Sequence, residues 1–213
     1  MDDHQRKLYS FLYNKIKDLK NPKILEFGVK EGKSTKMFID LVEKNNGYVV
    51  SVDVDDYSNL FNSERWKFIK SRDDNFELIK KEINYDLDVI LLDSFHEADH
   101  VKNIITNYYD LLKEGGYFFI DDISWLPYLK NKNRDSFYSE INNKETFEII
   151  IDLYNSNYEN FDLEFSFISS GFACMQKKKK LSLIPTKKYN YRSFSLKNFI
   201  RKLKKKIKFW KKK

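Results

Sequence analysis

Between Asp88 and Ile123 the chain reads DVILLDSFHEADHVKNIITNYYDLLKEGGYFFIDDI, and this stretch limits the possible folds more than any other. VILLD and YFFID are unbroken apolar runs of strand length, the pattern of buried strands, and a helical pattern joins them. Each run ends in acid: Asp93 closes the first, and Asp121 with Asp122 closes the second. In an open parallel α/β sheet, ligands gather beyond the carboxyl ends of the strands, so the three carboxylates are expected to converge on one spot. His96 lies one turn beyond Asp93.

The same alternation extends in both directions. KILEFGV (residues 23–29), YVVSVDV (48–54) and WKFIKS (66–71) read as strands, and the helical patterns STKMFIDLVEK and DNFELIKKEI follow the first and third. A further helix is expected through HVKNIITNYYDLLKE, with a turn at Gly115-Gly116. Strand and helix in alternation predict a Rossmann-like, doubly wound, mostly parallel sheet. After Asp122 the rhythm breaks: residues 123–136 are polar and interrupted by Pro127, which suggests a loop or lid. ETFEIIIDLYNSN is helical. FDLEFSFIS and GFACMQK, joined at Ser169-Ser170-Gly171, predict an antiparallel hairpin at the sheet edge, and so an antiparallel last strand.

Charge divides the chain in two. Of its 39 Lys and Arg residues, 17 lie from Lys177 onward with no Asp or Glu, while 22 share the preceding part with all 32 acids. The body is therefore −10 and the tail +17, so the overall basic balance says nothing about the folded part. The expected organisation is one domain over residues 1–176 and a basic linker and amphipathic tail over 177–213. The single Cys174 excludes a disulfide framework and points to a reducing compartment, and MDDHQRKLYSFLYNKIKDL reads as an amphipathic helix, not a signal peptide. A cytoplasmic protein is expected.

The loop LEFGVKEGKST carries the first ligand signal. Glu26, Gly28, Gly32 and Ser34 stand at a strand–helix turn, where glycines admit close approach of a ligand and helix N–H groups point into the crevice. The spacing E-x-G-x-x-x-G-x-S is not the dinucleotide fingerprint. Asp53 ends the second strand 21 residues after Gly32, where an acid can take both hydroxyls of a ribose. Arg72 and Asp73 follow the third strand.

The glycine loop, Asp53 and the block GGYFFIDD together resemble class I S-adenosylmethionine-dependent methyltransferases over residues 20–176. DSFHEADHV followed by GGYFFIDD is most similar to the metal-dependent sugar O-methyltransferases of macrolide tailoring and the cephalosporin hydroxylase-like group. The resemblance implies a cofactor site at Glu26, Gly28, Gly32, Ser34, Asp53, Arg72 and Asp73. It implies Mg²⁺ or Mn²⁺ held by Asp93, Asp121 and Asp122, with Asp93 and His96 catalytic and His96 the base. The residues agree in chemistry, since carboxylates are hard ligands and a sugar hydroxyl needs activation before it can attack a sulfonium methyl. His100 opens a helix and reads as structural or supporting. Trp125, Tyr128 and Phe137 could line an acceptor pocket, though core packing explains each of them as well.

In the tail, Leu196, Phe199, Ile200, Leu203, Ile207 and Trp210 fall on one helical stripe whose other face is Lys and Arg. This is the pattern of a helix lying in an anionic membrane surface, and it predicts a peripheral protein on the inner face of the membrane. The expected acceptor is a sugar or glycan. One rival is an RNA methyltransferase using the tail as a phosphate clamp, against which the tail lacks interleaved aromatics at base-stacking spacing. The other is a non-catalytic S-adenosylmethionine-binding protein, against which the full acid set is retained.

Overall fold

The computed structural model describes residues 2–126, 137–186 and 196–201. Its seven strands are β1 Lys23–Phe27, β2 Tyr48–Asp53, β3 Trp66–Lys70, β4 Leu87–Leu92, β5 Leu112–Asp121, β6 Phe161–Ser166 and β7 Phe172–Lys177. They form one sheet in the order β3-β2-β1-β4-β5-β7-β6. β1 to β5 are parallel, while β7 runs antiparallel to both β5 and β6. The expected edge hairpin is present, with β7 inserted between β5 and β6. The Rossmann-like fold with a reversed last strand is thus the observed one.

Helices cover both faces: α1 Asp3–Lys7 and α2 Asn14–Ile16, joined through a π-helical stretch at Leu8–Tyr13, then α3 Lys33–Asn45, α4 Phe76–Glu82, α5 Ala98–Tyr108 and α6 Phe137–Asn157. Adjacent residues of the central strands serve opposite layers. Ile24, Val89 and Leu91 pack with Leu8, Leu12, Ile16, Met37 and Phe38 on one side. Leu25, Phe27, Ile90 and Leu92 pack with Ile79, Val101, Ile104 and Tyr108 on the other. Successive strand side chains point to opposite faces, so burial of both faces requires an apolar residue at every position, which is why these runs are continuous. Each fully buried aliphatic or aromatic side chain contributes about 1.5–3 kcal/mol. Cys174 is buried, and burial pushes its thiol up to about 12, so it stays protonated and unreactive.

The stretch HVKNIITNYYDLLKE departs from the expected helix. α5 stops at Tyr108, a 3₁₀ turn spans Tyr109–Leu111, and β5 begins at Leu112. The reason is remote in sequence: the buried Lys177 ammonium donates to the carbonyls of Tyr109, at 3.1 Å, and Leu112, at 2.6 Å, and the Tyr109 hydroxyl donates to the Asn160 carbonyl. The expected turn at Gly115-Gly116 lies within β5, where the pairing with β4 shifts between Leu87 and Val89.

Beyond β7 the chain stays on the body. Asn157 holds Ile184 through both its backbone groups, Asn160 donates to the Ser182 carbonyl, and Leu183 packs against the core. Residues 196–201 are helical, with Leu196, Phe199 and Ile200 exposed. Leu203, Ile207 and Trp210, most of the lid segment and Tyr128 lie outside the described residues, as does the side chain of Phe137. No helix among the described residues is long and apolar enough to cross a membrane.

Candidate active site

The carboxyl ends of β1, β2, β4 and β5 meet as the sequence requires. The chain leaves β1 at Gly28, whose φ of +93° is open to glycine and strained for other residues. A methyl group at this position would lie 1.9 Å from the Asp93 carbonyl oxygen. The glycine loop and the first acid are therefore in direct backbone contact. Gly32, also left-handed at φ +71°, is the N-cap of α3 and turns the loop into that helix.

Glu26 is fully buried beneath the loop. Its carboxylate accepts from the hydroxyls of Ser34, Thr35 and Ser51, and Ser51 in turn accepts from the Trp66 indole. Desolvation pushes the Glu26 carboxyl up to about 7, against the lowering effect of the three hydroxyls. Glu26 and Ser34 thus face each other and brace the loop from within. Asp53 stands at the end of β2, where its Oδ2 accepts from Val29 N at 2.7 Å and Lys30 N at 3.4 Å, and its Oδ1 from Asp55 N at 3.0 Å. A carboxylate offers about four lone-pair sites, which leaves room for a hydroxyl guest.

At the end of β3, Arg72 points outward and grips Asp74 with two nitrogens, at 2.9 and 2.7 Å. Asp73 turns inward: its carboxylate accepts from the Ser94 hydroxyl and meets His100 Nε2 at 2.9 Å, and its carbonyl accepts from the Tyr108 hydroxyl. His100 packs edge-on to Phe95. Among the described residues, Asp73, Asp74 and His100 are the group whose candidate ligand atoms all lie within 4.8 Å of one another. Both Asp74 oxygens are engaged by Arg72, and Asp73 Oδ2 by Ser94 and the imidazole.

The acid cluster adjoins this network, since Asp93 directly precedes Ser94. His96 Nε2 is 3.7 Å from Asp93 Oδ1 and 3.4 Å from Asp122 Oδ2, so the imidazole bridges the two strand ends. Asp93 is a quarter exposed, yet its carboxyl is held well above the ordinary range. Desolvation is the main cause, and the Asp121 and Asp122 carboxylates add to it. Carboxylate oxygens are hard donors of the kind that suit Mg²⁺ or Mn²⁺, but the ligand atoms of Asp93, Asp122 and His96 are not among the described groups that all lie within 4.8 Å of one another. Asp121 is placed differently from its neighbours. It is buried and ion-paired with the ammonium of Lys7, a residue with no local sign in the sequence that it would be drawn inside. His4, one turn earlier, is also partly enclosed, and burial lowers its imidazole below the usual value, aided by Lys7. Trp125 packs on the Phe147 ring at 4.8 Å, which accords with a core role.

Comparison with known proteins agrees with this architecture. Residues 25–123 match a family described as a methyltransferase domain. A search of curated sequences finds no match. Among solved structures, the MycE methyltransferase of the mycinamycin biosynthetic pathway, in complex with Mg, S-adenosylhomocysteine and mycinamycin VI, superposes with a TM-score of 0.58 at 20% identity, over 84% of this chain and 51% of that one. A Staphylococcus aureus protein assigned as a caffeoyl-CoA O-methyltransferase gives 0.59 at 17% identity, over 83% and 84% of the two chains. A Clostridium thermocellum protein assigned as an rRNA methylase gives 0.58 at 16%, over 78% and 92%. The chain spans about half the length of MycE.

Proposed function

We infer that this chain is a class I S-adenosylmethionine-dependent methyltransferase that methylates a hydroxyl on a sugar or glycan with the help of a divalent cation, a reading supported by the match of residues 25–123 to a methyltransferase domain and by the fold. The observation that carries the reading is the placement of His96 between Asp93 and Asp122, beside the glycine loop whose Gly28 abuts the Asp93 carbonyl. The cation and the sulfonium complement this arrangement: the first would orient and acidify a chelated hydroxyl, and the second supplies an electrophilic methyl.

The protein's own residues account for the remaining chemistry. Gly28 and Gly32 let the loop backbone close on the cofactor, while Asp53 would take the ribose hydroxyls. Asp93 and Asp122 would hold the cation, with Asp121 behind them. As the hydroxyl oxygen bonds to the methyl carbon and the carbon–sulfur bond breaks, the hydroxyl proton would pass to His96. The imidazolium so formed faces two carboxylates, which stabilise it. Asp73, fixed by Ser94 and His100, would line the adenine end.

The cofactor assignment is tested by calorimetry. The full chain should bind S-adenosylhomocysteine, and Asp53→Ala should weaken binding by about 1–3 kcal/mol, the cost of hydroxyls left without a partner. Undiminished affinity in that variant would remove Asp53 from the site, and preference for a dinucleotide would overturn the reading as a whole.

The tail supports a location at an anionic membrane surface on the cytoplasmic side, through the exposed Leu196, Phe199 and Ile200 among basic residues. Replacing Phe199, Leu203 and Trp210 with Ser, all basic residues kept, should release the protein from vesicles containing anionic lipid at moderate salt. Unchanged binding would mean that charge alone holds it. The rRNA-methylase likeness and the +17 tail support a second reading, an RNA acceptor, which requires tight RNA binding by the same variant and activity without a divalent cation.

A further inference from the structure

The chain beyond β7 is moored before the tail begins, at the end of the sheet where β1 to β6 start. The Lys178 backbone N–H donates to the Asn160 carbonyl, the Ser182 hydroxyl donates to Asp110, and the buried Asn157 holds both backbone groups of Ile184. Lys178, Lys179 and Lys180 face Asp162, Glu159 and Asp86 at 3.0, 3.8 and 3.9 Å. These three lysines answer acids of the body, so the charge offered to a partner is that of the thirteen Lys and Arg after residue 186.

The candidate active site lies at the other end of the sheet, where Asp53, Asp93 and His96 stand. The six-residue strands β2 and β4 set the two ends about 20 Å apart. Charge separates them as well. Among the described residues, α1 with its Asp2 cap and the segments at the carboxyl ends of the parallel strands (28–33, 53–56, 71–74, 93–99 and 121–122) hold thirteen acids and five bases. The segments at the amino ends (17–23, 46–47, 64–65, 83–88, 110–114 and 157–160), together with 177–186, hold nine bases and seven acids. The first end is therefore −8 and the second +2, and the three bases and one acid of residues 127–136 would not reverse that order.

Nine residues, 187–195, separate the mooring from the exposed Leu196, Phe199 and Ile200, and nine residues reach about 30 Å at most. A tether of that length lets the body turn over, so charge decides which end faces an anionic surface. Such a surface attracts each nearby basic residue by about 1 kcal/mol and repels acids, and it acts only within a Debye length of about 8 Å. It therefore acts on one end of the sheet at a time.

We propose that the tail seats the protein on an anionic bilayer with the amino ends of its strands toward the lipid and the acidic, catalytic end toward the water, so that the acceptor hydroxyl is one presented in water, away from the lipid phosphates. The proposal rests on the reading of the tail as a membrane anchor and adds the direction in which the site faces.

The test uses the full chain. Cys174 is its single cysteine and is buried, so a thiol-reactive fluorophore can be placed at one chosen surface position. Tyr158→Cys marks the amino end beside Asn157, and Val54→Cys marks the carboxyl end after Asp53; both side chains are replaced where the residue is 57% exposed. On vesicles of phosphatidylcholine and phosphatidylglycerol that carry a nitroxide on the headgroup, quenching should be severalfold stronger at 158 than at 54. The S-adenosylhomocysteine affinity of the unlabelled chain should stay within about twofold when vesicles are added. Equal quenching at the two positions, or stronger quenching at 54, would overturn the orientation and leave the membrane reading intact. A loss of cofactor affinity of about tenfold on vesicles would do the same, since the catalytic end would then be covered. Failure of the unaltered chain to sediment with the vesicles would overturn the membrane reading and the orientation with it, and RNA binding in its place would assign the tail to a phosphate clamp.

Discussion

Asp93→Ala should lower methyl transfer by about 10³-fold or more while leaving S-adenosylhomocysteine affinity close to that of the unaltered protein. The magnitude follows from the several kcal/mol that a polarising cation contributes to the transition state, at about 1.4 kcal/mol per decade of rate. The selectivity follows from geometry. The Asp93 backbone abuts Gly28 and the glycine loop, whereas its side chain lies 3.7 Å from His96 Nε2. Truncating a carboxyl that is already a quarter exposed and crowded by like charges removes repulsion as well as a ligand, so the fold should tolerate it. EDTA should reproduce the loss in the unaltered protein, and Mg²⁺ or Mn²⁺ should reverse it. Full turnover in EDTA would show that the strand-end acids serve some other purpose.

The second large effect is expected at His96. Replacement with alanine should reduce turnover by about 10²–10⁴-fold, the usual contribution of a general base, with little change in cofactor or Mn²⁺ affinity. His96→Gln keeps a hydrogen-bonding group between Asp93 and Asp122 without a proton acceptor of comparable strength, and it should be as impaired as alanine. A loss of less than tenfold in both variants would reduce His96 to a neighbour of the two acids without a part in proton transfer.

Much of this site can be read along the chain, because strands carry their ends with them. Once VILLD and YFFID are recognised as neighbouring parallel strands, Asp93, His96 and Asp122 must lie near one another. What escaped is what the third dimension adds. A lysine beside Leu8 in an amphipathic helix gives no sign that it will be drawn inside to face Asp121, 114 positions away. The end of α5 was equally hidden, since Lys177 on a distant strand provides the donor that lets the chain leave the helix after Tyr108. Glu26 shows a subtler gap. Its position before the glycine turn marks the loop correctly, but only the fold reveals that Ser34, Thr35 and Ser51 surround it.

The contact at Gly28 has a consequence for anyone who wishes to retarget this scaffold. With no side chain between the loop after β1 and the backbone after β4, the two loops are cut to one another's shape, and neither can be transplanted alone. A graft of residues 93–97 from another protein would press directly on the loop after β1. Libraries for new acceptors should therefore leave the backbone at 28 and 93 untouched.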